Sequence, residues 1–399
     1  MTDRRSRIRH LKPVRFISSR PPGPPRQLEL DAIRGVAILL AMGWHLNSLP
    51  SENSVYNFFM APGRVIGWAG VDLFFVLSGF LVGRLLLEEQ LHRTTVDGKR
   101  FLIRRAFKLW PVLYVFLFAQ LIFGDMSWNT YLAQTIFHIQ NYTHGSISHL
   151  WSLAVEEHFY LILVGVITIF STTFRSSRHL LALMFSLLIS CLALRVSAYA
   201  FGSGLVELQT YSHFRFDSLA AGVILAIMAV NYPKQFTKLL LLRPMFAIVA
   251  CAGVTWLVLV PKNTALGSTI GYTIAYLTGA ALLLTVYRAD FVIKAPLCWQ
   301  WLGVLGTYSY GLYIWHIAAG NFGEILFRKI FDDSVGTVVL TIVKYLSALT
   351  IAVFVTKIVE WPSLQLRNKL FPSRTTIQPD GDASRGTNTH RNASDLPDE

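Results

Sequence analysis

The sequence is short of charge. Only 15% of its 399 residues are Asp, Glu, Lys or Arg, against about 25% in an ordinary soluble domain. A soluble fold must cover its surface with polar groups, so this scarcity argues against a soluble enzyme. Hydrophobic residues make up 53% and aromatic residues 13%, which excludes disorder for most of the length. Cysteine is scarce as well. Cys191, Cys251 and Cys298 lie in or beside apolar stretches, with no paired or metal-ligand spacing. They read as small buried hydrophobes rather than redox or zinc chemistry. No nucleophile elbow, P-loop, HExxH motif or Gly-rich dinucleotide loop is present, and no bound metal is expected.

What the sequence does contain is a series of apolar runs, each near the roughly 20 residues that cross a bilayer. They cover residues 31–49, 67–87, 109–124, 150–170, 180–198, 216–230, 245–260, 270–286, 308–327 and 337–359. The sixth is short. Short polar connectors such as 49–51 and 261–263 separate them, and no internal repeat is visible. The expectation is an all-α polytopic membrane bundle of about ten transmembrane helices. It forms one domain over residues 30–362, between a basic flexible arm (1–29) and a disordered polar tail (373–399).

The net charge of +13 has a place in this scheme. Of the 36 Lys and Arg residues, 28 fall in segments that lie on one side if there are ten spans, whereas 125–149 holds none. By the positive-inside tendency that side is cytoplasmic, with both termini there. Nucleic acid is not needed to explain the charge. The Pro-rich arm is suited to anionic lipid. It is read as retained, because Asp31 and Arg34 interrupt the apolar run where a signal peptide would continue.

Ionisable side chains inside spans are costly and mark function or pairing. Arg34 and His45 are 11 residues apart, so they share one face of the first helix, separated by roughly 16 Å of rise. Asp31 lies one turn before Arg34 on that face. Arg34 also fits a simple anchor paired with Asp31, and His45 an interfacial polar residue. His149, Ser152, Glu156 and Tyr160 form a polar stripe at i, i+3, i+7 and i+11, where Glu156 could orient His45 as general bases are oriented elsewhere. Asp72 is isolated among apolar residues and is expected to pair across helices. Arg104, Arg105 and Lys108 fit either positive-inside anchoring or a phosphate clamp. Arg215 and Asp217 sit at the mouth of the sixth span. Ser309, Tyr313 and His316 share a face of the ninth. Arg195 and Lys344 read as snorkelling anchors, and Pro362 as the stop of the last span.

At this point the chain resembles the acyltransferase 3 family of membrane O-acyltransferases, over roughly residues 29–362. The resemblance rests on Leu30-Asp31-Ala32-Ile33-Arg34-Gly35 with Arg-x10-His to His45, and on Gly70-Val71-Asp72-Leu73-Phe74-Phe75 through Phe80. It continues with Arg104-Arg105 ahead of Pro111, His149-x-Trp151-Ser152-Leu153-x-x-Glu156-x-x-Phe159-Tyr160, Arg215-x-Asp217, and Ser309-Tyr310-x-Leu312-Tyr313-x-Trp315-His316. It implies ten helices and an acyl-CoA donor, often acetyl-CoA. The implied acceptor is a hydroxyl of a carbohydrate, surface glycan or glycolipid. It suggests His45 as the catalytic residue, Arg34 as its essential partner, and Arg104/Arg105 as donor contacts. Two departures stand out: Lys108 replaces the usual third arginine, and Ile317 follows His316 where proline is frequent.

The reaction expected is acyl transfer in the bacterial inner membrane. His45 would act as general base, with Ser152 or a tyrosine steadying the oxyanion. Direct transfer and an acyl-enzyme intermediate both stay open, and the segment 125–149 could shape acceptor access. The rival reading is a proton-coupled transporter or flippase that uses His45, Glu156 and Asp72 as a relay.

Overall fold

A computed structural model describes residues 27–46, 50–93, 95–124, 127–143, 147–173, 176–289, 292, 297–331 and 336–372. The polar tail and nearly all of the basic arm lie outside these residues. The described chain is helical throughout, with no strand. Sixteen helices follow in order: α1 (Leu28–Leu46), α2 (Ser54–Ile66), α3 (Gly70–Arg93), α4 (Gly98–Phe123), α5 (Trp128–Phe137), α6 (Trp151–Thr173), α7 (Ser177–Ala200), α8 (Leu205–Thr210), α9 (Ser212–Asn231), α10 (Pro233–Leu240), α11 (Arg243–Leu259), α12 (Ala265–Val286), α13 (Leu297–Thr307), α14 (Ser309–Phe331), α15 (Thr337–Val355) and α16 (Trp361–Leu370).

Each of the ten apolar runs coincides with a helix: α1, α3, α4, α6, α7, α9, α11, α12, α14 and α15. Length and apolarity alone select fewer spans. Seven helical stretches are long and apolar enough to cross a bilayer, or eight if α10 and α11, bent by 69°, count as one. The two that fall short, α1 and α14, are those loaded with polar side chains: Glu29, Asp31 and Arg34 on one, His316, Asn321 and Glu324 on the other. The connectors start helices as their composition suggests. Asn53, Asp97, Ser127 and Thr264 each accept a hydrogen bond from the backbone N–H three residues on, which satisfies an otherwise orphaned donor.

The bundle is built around α3 and α9. Both are largely buried, whereas α4 and α7 present most of their surface outward. Exposed Phe185 and Ile189 on α7 and Phe118 and Ile122 on α4 give the rim an apolar face suited to lipid. Two glycines allow the central crossing. A Cβ on Gly79 would stand 2.0 Å from the Leu219 carbonyl oxygen, and one on Gly222 would stand 2.1 Å from that of Val76. Small residues let helix backbones approach where lipid supplies no hydrophobic drive. α1 packs on α3 and α13, and α14 packs on α15.

Two buried ion pairs lock the same region. Asp72 on α3 meets Arg215 on α9 at 2.5 Å, and Ser218 Oγ donates to the same carboxylate oxygen at 2.7 Å. Arg195 on α7 pairs with Asp217 on α9 at 2.7 Å, with both side chains fully enclosed. Asp72 thus pairs across helices as expected, but Arg195 is no snorkelling anchor. Its guanidinium also donates to the carbonyls of Phe214 and Thr269 and to Thr273 Oγ1. A fork of five donors buried between three helices is satisfied better there than at a headgroup. Lys344 is not free either; its Nζ lies 2.6 Å from Glu324.

Three further expectations change. α9 begins at Ser212, which makes the sixth span longer than its apolar run. Of the cysteines only Cys191 is buried, and Cys251 and Cys298 are exposed. Pro362 does not end the last helix. A wide turn over Thr356–Glu360 leads directly into α16, where Pro362 occupies the first turn, a position that needs no N–H donor. Replacing Arg195 with Met should strand Asp217 and cost about 3–5 kcal/mol. Thermal unfolding of the detergent-purified protein should show a correspondingly lower midpoint.

Candidate active site

Three histidines from three parts of the chain meet at one end of α1. His45 closes α1, His149 precedes α6, and His316 lies two turns into α14. Ring centroids are 5.2 Å apart for His45–His316, 5.2 Å for His149–His316 and 6.3 Å for His45–His149. Backbone carbonyls set the tautomers of two of them. A carbonyl can only accept, so His149 Nε2–H donates to Ile314 O at 3.1 Å. His316 Nδ1–H donates to Leu312 O at 3.1 Å and Tyr313 O at 2.8 Å. Each ring then keeps a lone pair on its other nitrogen. His316 Nε2 is buried with no hydrogen-bond partner among the described residues. No group of three or more His, Cys, Asp or Glu among them is arranged to hold a metal ion.

Tyr313 ties this cluster to α6. Its hydroxyl donates to His149 O at 2.6 Å. With that proton committed, it accepts from Ser152 Oγ at 2.5 Å. Ser152 is therefore engaged with Tyr313, not free in the cavity. Tyr313 also stands between two cavities. The larger, of about 370 Å³, is walled by His45, Trp44, Trp68, Trp151, Gln140 and Asn141 among others. The smaller, of about 90 Å³, is walled by Ser152, Glu156, Ser309 and Tyr310. Val71 and Tyr313 line both.

This division separates residues that the sequence had suggested as neighbours. Glu156 does not orient His45. It lies in the smaller cavity and accepts a hydrogen bond from Tyr160 Oη at 2.9 Å. Tyr160 Oη also meets Ser78 Oγ and accepts from Arg105 at 2.5 Å. Helical geometry brings Glu156 and Tyr160 together at i, i+4, one turn farther along α6 than Ser152. Arg34 likewise has Asp31 as its partner, at 2.7 Å. It stays roughly 16 Å from His45 along the helix axis.

The basic group of α4 is held by the protein itself. Arg104 donates to the Phe371 carbonyl, Lys108 pairs with buried Glu360, and Arg105 lies over the Tyr160 ring. Arg215 and Asp217 do not reach the histidines. Arg215 packs behind the larger cavity, its guanidinium carbon 5.4 Å from the Trp151 ring centroid and 3.8 Å from that of Tyr272.

Several wall residues were not legible as site residues. Gln140 and Asn141 come from the segment expected to shape access. Their amide nitrogens donate to Leu150 O and to Thr210 O with Ser212 Oγ. That fixes each amide's orientation and leaves Oε1 and Oδ1 without partners, as is Trp68 Nε1. Unpartnered buried polar atoms are costly. Three such atoms belong to the wall of the larger cavity. Nothing in a connector's composition distinguishes such an amide from an ordinary loop residue.

Replacing Tyr313 with Phe strands both the His149 carbonyl and the Ser152 hydroxyl. It should cost about 1–3 kcal/mol, seen as a lower unfolding midpoint. Ser152→Ala, which leaves the Tyr313–His149 bond intact, should cost less.

Comparison with known proteins identifies the family. A sequence model of the family described as an acyltransferase domain, acyltransferase 3, matches residues 27–358. YrhL of Bacillus subtilis (strain 168), whose name includes peptidoglycan O-acetyltransferase, is 28% identical over 316 residues, covering 72% of this chain and 47% of the relative. The peptidoglycan O-acetyltransferase OatA of Listeria monocytogenes serovar 1/2a (strain EGD-e) is 26% identical over 320 residues, covering 72% and 48%. The chain thus spans about half the length of these curated relatives. No solved structure matches it. The match runs through every helix from α1 to α15, including all three histidines, and the chain belongs to the acyltransferase 3 family.

Proposed function

We propose that the chain is a membrane O-acyltransferase. It moves an acyl group, acetyl in the simplest case, from cytosolic acyl-CoA to a hydroxyl of a carbohydrate, surface glycan or glycolipid. The family membership and the names of the relatives support acetyl transfer to a cell-envelope glycan. The observation that carries the reading is the larger cavity: an imidazole beside three tryptophans and unpartnered polar atoms of Gln140, Asn141 and Trp68. Flat aromatic faces with amide acceptors suit a polyhydroxylated ring, and an imidazole in the same wall would take a proton from one hydroxyl.

The chain crosses the bacterial inner membrane ten times in this reading. α1 and α14 complete the count as the two spans that carry the histidines, and both termini are cytoplasmic. Donor phosphates meet the Arg104, Arg105 and Lys108 end of α4, which requires those side chains to exchange their protein partners. The thioester then reaches the histidines from the side of the smaller cavity, past Tyr313.

His45 is the base. The His316 ring centroid lies 5.2 Å from that of His45, so a neutral imidazole, not Glu156, is the group beside the base. A ring nitrogen of His45 takes the acceptor's hydroxyl proton as oxygen attacks the thioester carbonyl. The C–O bond forms, the C–S bond breaks, and the thiolate leaves with the proton from His45. The enclosed bundle keeps water from the thioester. The transporter alternative loses one relay member, because Asp72 is tied to both Arg215 and Ser218.

His45→Ala should unfold at the wild-type temperature yet lose acyl transfer by about 10²–10⁴-fold. Mass measurement of mildly extracted glycans, glycolipids and metabolites from deletion, wild-type and mutant cells checks this. An ester present only in wild type supports the reading, and an ester retained by the mutant overturns the role of His45. His316→Ala should lower kcat and leave KM for the donor unchanged, since His316 acts through His45.

A further inference from the structure

Lys262 sits in the connector between α11 and α12, outside the spans, against two residues of the cavity wall. Its Nζ lies 2.5 Å from Gln209 Oε1 and 5.3 Å from the centroid of the Trp44 ring. Gln209 and Trp44 both line the larger cavity. The ammonium has three donors and Gln209 takes one. No carboxylate among the described residues forms an ion pair with it. The cavity wall itself contains no Asp or Glu among those residues. The buried acids nearby are already committed, Asp72 to Arg215 and Asp217 to Arg195.

A half-buried cation at the edge of a cavity with no acid in its wall, attracted by Asp72 but forming no ion pair with it, leaves a positive potential that an anionic ligand would neutralise. We propose that Lys262 makes this cavity selective for an acceptor that carries an anionic substituent, a carboxylate or a phosphate, next to the ring whose hydroxyl meets His45. This rests on the reading of the larger cavity as the acceptor site. Burial, with Arg215 nearby, pushes the Lys262 ammonium down to about 8. That is the state of a cation with too little compensation, and a bound anion would relieve it. A surface anchor facing water or headgroups would not carry that penalty.

The test measures binding rather than turnover. Isothermal titration uses the full chain in phosphatidylcholine nanodiscs with three probes: methyl glucoside, methyl glucuronide and glucose 6-phosphate. Either anionic probe, or both, should bind about ten-fold more tightly than the neutral one. Which of the two wins distinguishes a carboxylate from a phosphate. Lys262→Met, which keeps the apolar stem, should erase the preference. Lys262→Glu should reverse it, and Lys262→Arg should keep it.

The wild-type preference should also fade as pH rises through about 8, where Lys262 loses its proton. The other titratable or charged groups facing Lys262 are His45 on α1, Asp72 on α3 and Arg215 on α9. A pH effect that persists in Lys262→Arg would belong to them. Equal affinities, no binding of any probe, or a preference that survives Lys262→Met overturns the proposal. Acetyl-CoA consumption is followed on the same samples. A protein that keeps the charge preference but never consumes acetyl-CoA removes the transferase reading and leaves the anion site standing.

Discussion

Inside a bilayer there is no water to satisfy a polar group, so every donor and acceptor must find its partner in the protein. This constraint organises the whole molecule. It turns Arg195 and Arg215, which could have read as membrane anchors or mouth residues, into the struts that hold α7, α9 and α3 together. It also explains why the central crossing needs Gly79 and Gly222. The helices must come close enough for short acids such as Asp72 to reach a guanidinium on the next helix.

The same constraint separates scaffold from site. Where partners are complete, the side chains are structural, as with Arg195 and its carbonyls. Among the described residues whose partners are incomplete, four atoms stand at the larger cavity or the histidines. His316 Nε2, Trp68 Nε1 and the amide oxygens of Gln140 and Asn141 belong to the wall of the larger cavity or to the histidines beside it. Two of the histidines have one nitrogen fixed by a carbonyl, so their protonation follows from the backbone. The Tyr313 hydroxyl, spent on His149 and Ser152, holds the two cavities apart and gives the site an inner and an outer side.

Electrostatics across that boundary are unequal. The smaller cavity has Glu156 in its wall, and the polar groups toward that end are held by protein partners: Glu156 and Arg105 by Tyr160, Arg104 by the Phe371 carbonyl and Lys108 by Glu360. The outer cavity has no acid in its wall and one half-buried lysine at its edge.

The sequence alone determined the class of fold, because hydropathy is a local property: each of the ten apolar runs is a helix in the structure. It also determined which helices carry ionisable side chains, since charged and imidazole side chains within apolar runs are visible by spacing, and Asp31 with Arg34 was legible as a pair at i, i+3. Tertiary structure alone decided which polar residues share a pocket. Helical periodicity places residues on one face of one helix and says nothing about what that face meets. Glu156 therefore appeared suited to His45 but lies beyond Tyr313, while His149 and His316, more than 160 residues apart, became neighbours. Gln140, Asn141 and Lys262 come from connectors that have no period to read. Their placement arises only where the packing of the spans brings those connectors to the cavity and leaves the amide oxygens of Gln140 and Asn141 without partners.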